Sequence, residues 1–462
     1  MSTRVVVIGA DAAGMSAAHQ ALRTARQHGR TLEVVAVEAT EHTSYSACGL
    51  PYWIGGDVEG GGALVARGPE EHRAAGIDLR TGTRAVGIDL AAREVEVVAA
   101  SGEETLAYDE LVIATGAEVV VPPWARDDAG ALRPGVAPVK TLDDGAHWRH
   151  LLDDAALGRT PVRAAVVGGG YIGLEMAEAL LRRRCEVDLF ASAALLPGFD
   201  PVIAERMRET VQAAGVRVHE HQRVSGLAGG DGAPFGVEAA DGGAEADLLV
   251  LATGVRPVTD LGIRGGDLPT GAAGAFDPDD TQRLAPGVWT AGDCSTVAHR
   301  LLGRRVHLAL GTHANKQGRV LGTNLGGGSA RSAGALGTAI TRFAVGEHHL
   351  EVARTGLGVE EAREAGYDPV ALLTEGTTAS GYMPQAGPAA VHVVADAGSG
   401  RLLGMQIAGG EGAAKRIDTA AAVLWTAGTV HDLAEMDLAY APPFATVWEL
   451  VQIAARRLAD RL

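Results

Sequence analysis

Cysteine is nearly absent from this sequence: three residues in 462, at positions 48, 185 and 294. So few, so far apart, exclude a disulfide framework and a closely spaced zinc tetrad. Thiols left free point to a reducing, cytoplasmic setting. Basic blocks are missing too. The chain has 40 Lys and Arg against 57 Asp and Glu, a formal net charge of −17. Bulk charge therefore offers no footprint for nucleic acid, and the arginines at 182–184 read as the wet face of a helix. No stretch reaches 18 apolar residues, so no membrane-spanning helix is expected. The opening MSTRVVVIGA is too short for a signal peptide's layout. What the chain has in plenty is glycine, 63 residues, without the three-residue period of collagen. The glycines gather at the ends of short Val/Ile/Leu runs, where an α/β fold turns tightly. The length allows about three domains.

Residues 4–8, RVVVI, read as a buried parallel strand. GADAAG follows, from Gly9 to Gly14, then a helical stretch and a second strand, LEVVAVE, ending at Glu38. In this order the glycines let backbone approach a pyrophosphate at a helix start, and Glu38 accepts hydrogen bonds from a ribose diol. The pattern returns at 164–190: AAVVG, then GGGYIG from Gly168 to Gly173, a helix, and the strand EVDLF. Two such units imply two dinucleotide sites. At the second strand's end the acid is missing; Ala191 and Ser192 follow Phe190. Neither an acid for a free ribose nor an arginine for a 2′-phosphate stands there. NADH and NADPH both stay open, with Arg182–Arg184 relevant only if folding brings one near.

Two strands end in ATG, at 111–116 and 248–254. GVWTAGDCS, at 287–295, sets Asp293 after a third strand, either to orient a ribityl or phosphate chain or simply to cap a helix. Residues 320–340, rich in Gly, Ser and Ala, read as a domain boundary followed by a helix. Beyond it, VHVVAD and LLGMQIAG flank an AGSG turn as strands, and a helix covers roughly 415–429. The third region is therefore a mixed sheet with helices.

Taken together, these elements resemble the pyridine nucleotide-disulfide oxidoreductase superfamily over nearly the whole chain. The resemblance implies an α/β fold with two Rossmann-like dinucleotide-binding domains and a C-terminal α+β dimerisation domain. It divides the chain into an FAD domain (1–120 and 255–330), an inserted NAD(P) domain (121–254) and a dimerisation domain (331–462). It implies FAD held by Gly9, Ala13, Gly14, Glu38, Ser46, Thr115, Gly116 and Asp293. It implies NAD(P)H held by Gly168, Gly170, Tyr171, Ile172, Gly173 and Gly254, and no metal.

Around Cys48 the sequence reads SYSACGLPY, from Ser44 to Tyr52. Members with a redox pair carry a second cysteine five positions on; Tyr52 and Trp53 stand there instead. SxxxCGxPY is similar to the single-cysteine branch, which includes coenzyme A disulfide reductases, NADH oxidases and peroxidases, and persulfide reductases. The oxidase and peroxidase group usually has a histidine in the first glycine loop; this chain has Asp11-Ala12-Ala13. DLAYAPPF at 437–444 and KRID at 415–418 are closest to coenzyme A disulfide reductases. By that resemblance Tyr440, with Tyr382 of GYMP more loosely matched, reaches Cys48 of the partner subunit in a homodimer.

The expected activity is FAD-dependent NAD(P)H reduction of a small disulfide, coenzyme A or another thiol. It would cycle through a mixed disulfide on Cys48. Oxygen, peroxide and persulfide are alternative acceptors, with sulfenic acid or persulfide on the same sulfur. A thiolate attacks a disulfide far faster than a thiol, so Cys48 is expected to have a lowered pKa from its place near a helix start. Plainer readings accompany each residue. Cys48, Cys185 and Cys294 suit core packing, and Tyr440 and Tyr382 suit packing as aromatics. Lys415 and Arg416 suit a phosphate grip or a helix cap. His19, His28 and His42 read as surface or capping groups, and His348 and His349 lack a visible acid partner.

Overall fold

The computed structural model describes residues 2–153, 161–229 and 234–462. Strand Thr3–Ile8 pairs in parallel with Leu32–Val37 on one side and Glu110–Ile113 on the other. Both faces are covered, so these strands read as unbroken apolar runs rather than alternating ones. Ile77–Arg80 extends this sheet beyond Leu32–Val37. On the far side, Val288–Thr290 returns from much later in the chain beside Glu110–Ile113. A second parallel sheet runs Arg217–His219, Glu186–Phe190, Arg163–Val167, Leu248–Leu251, Val136–Pro138. Each sheet has one of the two glycine loops leading from its central strand into a helix, Ala12–Gln27 in the first and Tyr171–Arg182 in the second.

Each ATG segment marks a crossing between these sheets. Ala117–Val119 and Val255–Pro257, immediately after them, pair antiparallel into a two-stranded connection. Thr115 Oγ1 donates to Val258 O at 2.6 Å, and Val120 N to Gly254 O at 2.9 Å. The chain thus leaves and re-enters the first unit through one hydrogen-bonded ribbon.

Helix Gly311–Leu325 packs along Ala12–Gln27 through small residues. A Cβ on Gly318 would meet Ala13 O at 2.3 Å, and one on Gly322 would meet Ala17 O at 2.3 Å. This four-residue spacing puts both glycines on one helix face and lets the helix axes close in. The same contact sets the start of the late helix beside the first glycine loop.

The C-terminal region is a five-stranded antiparallel sheet, Ala339–Val345, His348–Gly356, Leu402–Gly409, Pro388–Asp396 and Pro369–Thr377. Helices Ile417–Trp425 and Leu450–Ala459 bury their apolar faces in the core beside it. Two expectations need correction. The Gly/Ser/Ala-rich stretch leads into a strand, not a helix, because Ala339–Val345 finds a partner in His348–Gly356 across a tight turn. The helix expected over 415–429 ends at Trp425, where Ala427 takes a positive φ of 56°. Among the described residues no helix is long and apolar enough to cross a membrane.

Candidate active site

Cys48 sits in the middle of a single 3-10 turn, Ala47–Gly49, that runs straight into the helix Leu50–Gly55. Pro51 lies in that helix's first turn, where a missing N–H costs nothing. A Cβ on Gly49 would meet Leu64 Cδ2 at 2.3 Å, so a larger residue after the cysteine would push the Leu64 side chain aside. Ser46 N donates to Leu64 O at 2.8 Å, and Tyr45 bridges to Val65. The turn is thereby pinned on both sides, with Cys48 exposed and Cys185 and Cys294 buried. Cys294 Sγ lies 3.5 Å from Thr290 Oγ1 and from the carbonyls of Ile113 and Ala291, a packed sulfur.

Three charged groups from distant parts of the sequence act on the Cys48 thiol: Glu175, Lys140 and Asp293. Lys140 Nζ reaches Asp293 Oδ2 at 3.4 Å, tying the approach to helix Leu142–Asp153 to the AGD turn. Glu175 lies two residues past GGGYIG and accepts from Thr341 Oγ1 at 2.9 Å. Burial pushes its carboxyl up to about 7, with Glu178 adding repulsion. The expected lowering of the Cys48 pKa is not what the chain by itself produces. Desolvation on the protein side raises it even though the residue is exposed, Glu175 raises it further, and Lys140 pulls it down. A helix of six residues has little dipole to set against this. Lys140 and Glu175 went unnoticed in the sequence. For Glu175 the only signal was a pair of acids, Glu175 and Glu178, on the largely apolar helix that follows the second glycine loop.

A charged knot anchors the far end of the Cys48 helix. Asp57 receives Arg182 and, at 2.9 Å, Arg342, which also lies 3.7 Å from Glu178. The Arg342 guanidinium lies 5.4 Å from the Tyr52 ring centroid. Arg182 and, through Asp153, Arg183 are occupied here rather than at the strand end after Phe190. Trp53 closes against two glycines, Gly61 and Gly145, where a Cβ would come within 3 Å of its ring.

The first glycine loop leaves backbone bare at a helix start. Gly9 has φ +94°, and a Cβ there would meet Ala114 O at 2.2 Å; one on Gly14 would meet Gly9 O at 1.9 Å. Glu38 Oε2 accepts from Ala10 N at 2.9 Å, while Oε1 accepts from Thr40 N and Oγ1. A Cβ on Gly292, in the AGD turn, would meet Ala13 Cβ at 2.9 Å. Ala13, Gly14 and the turn bearing Asp293 therefore meet, and Asp293 caps no helix. Thr115 and Gly116 lie at the ribbon's entry, Gly116 with φ +70°. The bare cradle with an acceptor at the second strand's end fits an adenosine diphosphate moiety of a dinucleotide.

The second loop repeats this plan. A Cβ on Gly168 would meet Ala252 O at 1.9 Å, one on Gly173 would meet Gly168 O at 1.8 Å, and Gly170 faces open space. Tyr171 stands edge-on to Phe199 at 6.3 Å, burial pushing its hydroxyl up to about 12. Ile172 is exposed, and Gly254 has φ +91°.

Tyr440 and Tyr382 lie elsewhere, on two exposed segments that the fold joins. Ser380 N donates to Pro442 O at 3.0 Å, and Gln385 Nε2 to Pro443 O at 3.1 Å. Arg416 clamps both, donating to Thr378 O at 2.5 Å, to Phe444 O at 2.6 Å and to the Glu449 carboxylate. It stands at the N-cap position of helix Ile417–Trp425 without a side-chain capping bond, and its guanidinium is engaged rather than free for a phosphate. Lys415 pairs with Asp418. The structure brings the two tyrosines' segments together but gives neither hydroxyl a hydrogen bond among the described residues. His349 does have an acid neighbour, Glu351 at 3.5 Å, which strand alternation sets on the same face two residues away. His42 pairs with Asp143 at 3.0 Å, and His19 with His72 at 2.8 Å. Among the described residues no group of three or more His, Cys, Asp or Glu could hold a metal ion.

Residues 3–318 match the family model described as pyridine nucleotide-disulphide oxidoreductase, and residues 344–451 match its dimerisation domain. The chain is 33% identical to the NAD(P)H coenzyme A polysulfide/persulfide reductase of Pyrococcus horikoshii, over 99% of each chain. It is 30% identical to an NADH oxidase of Methanocaldococcus jannaschii, again over 99% of each. Among solved structures it superposes on an NAD-dependent persulfide reductase from A. fulgidus with a TM-score of 0.91. That match has 31% identity and covers 99% of this chain and 83% of the other.

Proposed function

Since the chain belongs to the pyridine nucleotide-disulphide oxidoreductase family, we propose that this FAD- and NAD(P)H-dependent oxidoreductase reduces a low-molecular-weight disulfide through Cys48 alone. The observation that carries the reading is one exposed thiol on a pinned turn, under the charge influence of Glu175, Lys140 and Asp293, while both other cysteines are buried. FAD, when bound, supplies the electron pair that it receives as hydride from NAD(P)H. Gly9, Ala13, Gly14, Glu38, Ser46, Thr115, Gly116 and Asp293 would hold it. Gly168, Gly170, Tyr171, Ile172, Gly173 and Gly254 would hold the nicotinamide dinucleotide.

The resting form in this reading is a mixed disulfide, Cys48–S–S–R. Two electrons break its S–S bond, leaving the Cys48 thiolate and RS⁻, which takes a proton and departs as RSH. The thiolate then attacks R–S–S–R, re-forming Cys48–S–S–R and expelling a second RS⁻. Lys140 stabilises the thiolate between these steps. Tyr440, with Tyr382 held beside it, donates a proton to the leaving sulfur in a second copy of the chain. The balance is one disulfide, one NAD(P)H and one proton giving two thiols and NAD(P)⁺.

A second reading is favoured by the persulfide reductases among the relatives. With R–S–SH, the Cys48 thiolate attacks the carrier sulfur, expels HS⁻ and forms the same mixed disulfide. Anaerobic NAD(P)H consumption with coenzyme A disulfide and with coenzyme A persulfide, reading free sulfide alongside, separates the two. No disulfide-dependent consumption by the FAD-replete protein would overturn the first reading. Rapid oxygen uptake without turnover of either sulfur substrate would overturn both.

A further inference from the structure

Asp11 is a carboxyl group that the proposed chemistry leaves unused. It occupies the third position of Gly9-Ala10-Asp11-Ala12-Ala13-Gly14, where dinucleotide loops commonly place a glycine so that backbone can approach a pyrophosphate. It stands at the start of helix Ala12–Gln27 with extended backbone, φ −109° and ψ −149°, yet its side chain does not cap that helix. Its Oδ1 is buried and has no hydrogen-bond partner. A buried oxygen left bare in a loop this tightly packed calls for a ligand.

The charged and titratable groups facing it are Glu38 from the end of the second strand, Tyr45 from the segment before Cys48, and Lys140. Burial raises the Asp11 pKa to about 6, and Glu38 adds repulsion. The backbone N–H groups of Tyr45 and Ala12, and Lys140, pull the other way. Lys140 is shared with Asp293 at 3.4 Å, and Glu38 is held in place by Ala10 and Thr40. These pulls do not outweigh burial and Glu38 in the chain alone, and a pyrophosphate arriving at the helix start adds two further negative charges.

We propose that Asp11 holds FAD as a neutral acid, its carboxyl O–H donating to a pyrophosphate oxygen, so that FAD retention is coupled to pH through this residue. The proposal rests on the reading of the first glycine loop as the FAD site. Protonation removes the like-charge contact and supplies the donor that a phosphate accepts from. The sign follows. The bound state prefers the protonated acid, so its pKa in the FAD complex lies above that of the FAD-free chain. Affinity is level at low pH and falls by up to about tenfold per pH unit as pH rises between those two pKa values.

The test is FAD release from the holoenzyme on dilution, followed as flavin fluorescence at pH 6, 7, 8 and 9. The wild type should release more FAD at each step. Asp11→Asn, which keeps an N–H donor without titrating, should give a flat profile and retain FAD at least about tenfold better than wild type at pH 9. Asp11→Gly, which restores the usual loop residue, should also be flat. An Asp11→Asn profile with the wild-type slope overturns the proposal. So does faster release than wild type at every pH, which would mark an acceptor for a ribityl or ribose hydroxyl. A chain that purifies without FAD and takes up none would overturn the site reading itself, a distinguishable failure.

Discussion

At Cys48 two influences oppose each other: desolvation and Glu175 hold the proton on, and Lys140 draws it off. The first set wins and raises the thiol pKa, and below that pKa the thiolate fraction grows with pH. kcat/KM for the disulfide is therefore expected to climb about tenfold per pH unit below the thiol pKa and to level off above it. Lys140→Gln should move that limb to higher pH and Glu175→Gln to lower pH. Cys48→Ser should cut turnover by about a thousandfold or more while the circular dichroism stays that of wild type, since the exposed sulfur supports no packing. Glu175 also links pH to stability. Its folded pKa, about 7, lies above the ordinary 4.5. The stabilisation it carries is whole below pH 4.5 and lost as pH rises through about 7. Urea unfolding of Glu175→Gln should lack that decline.

Among the elements, the contact between helices Ala12–Gln27 and Gly311–Leu325 has the least room. Gly322→Ala places a Cβ where Ala17 O lies at 2.3 Å. We expect a loss of about 1–3 kcal/mol in urea unfolding, with FAD retention weakened because both helices begin at the first glycine loop. The C-terminal counterpart is Arg416, which fastens the Tyr382 and Tyr440 segments through two carbonyls and Glu449. Lysine lacks the planar fork that makes several such bonds at once. Arg416→Lys is therefore expected to speed proteolytic cutting within 377–387 and 438–446. At the end of strand Glu186–Phe190, Ala191→Glu restores a ribose acceptor. It should shift the NADH over NADPH preference in kcat/KM by about tenfold or more towards NADH.

For the molecule as a whole, the proposed role of Tyr440 requires a second copy of the chain. Tyr382, Tyr440, Phe444, Val447 and Trp448 are all exposed in the single chain, and all five lie within the dimerisation-domain match. Tyr440→Phe should leave the sedimentation coefficient of the dimer unchanged and lower disulfide turnover by about a hundredfold. Full turnover on every accepted disulfide would remove Tyr440 from the chemistry. The knot of Asp57, Arg182, Arg342 and Glu178 joins the Cys48 helix, the second dinucleotide unit and the C-terminal sheet. Its members come from three separate stretches of sequence, so its existence is a property of the assembled chain alone.

Local pattern carried a great deal. Glycine loops between apolar strands, ATG at strand ends and one cysteine before Gly-Leu-Pro are written in consecutive residues, because turns and helix starts depend on neighbours in the chain. They were enough to read the α/β units and the two glycine loops that lead from strand to helix. Ala339–Val345 shows the limit: the Gly/Ser/Ala-rich stretch before it reads as leading into a helix, while the Ile, Thr, Phe and Val of the segment favour a strand and pair with His348–Gly356. Lys140, Glu175 and Asp293 act on one thiol from positions more than thirty residues apart, and only folding could bring them there. The direction of the Cys48 pKa was decided the same way. A thiol's proton affinity depends on desolvation and on charges a few ångströms off, and neither quantity exists until the chain has packed.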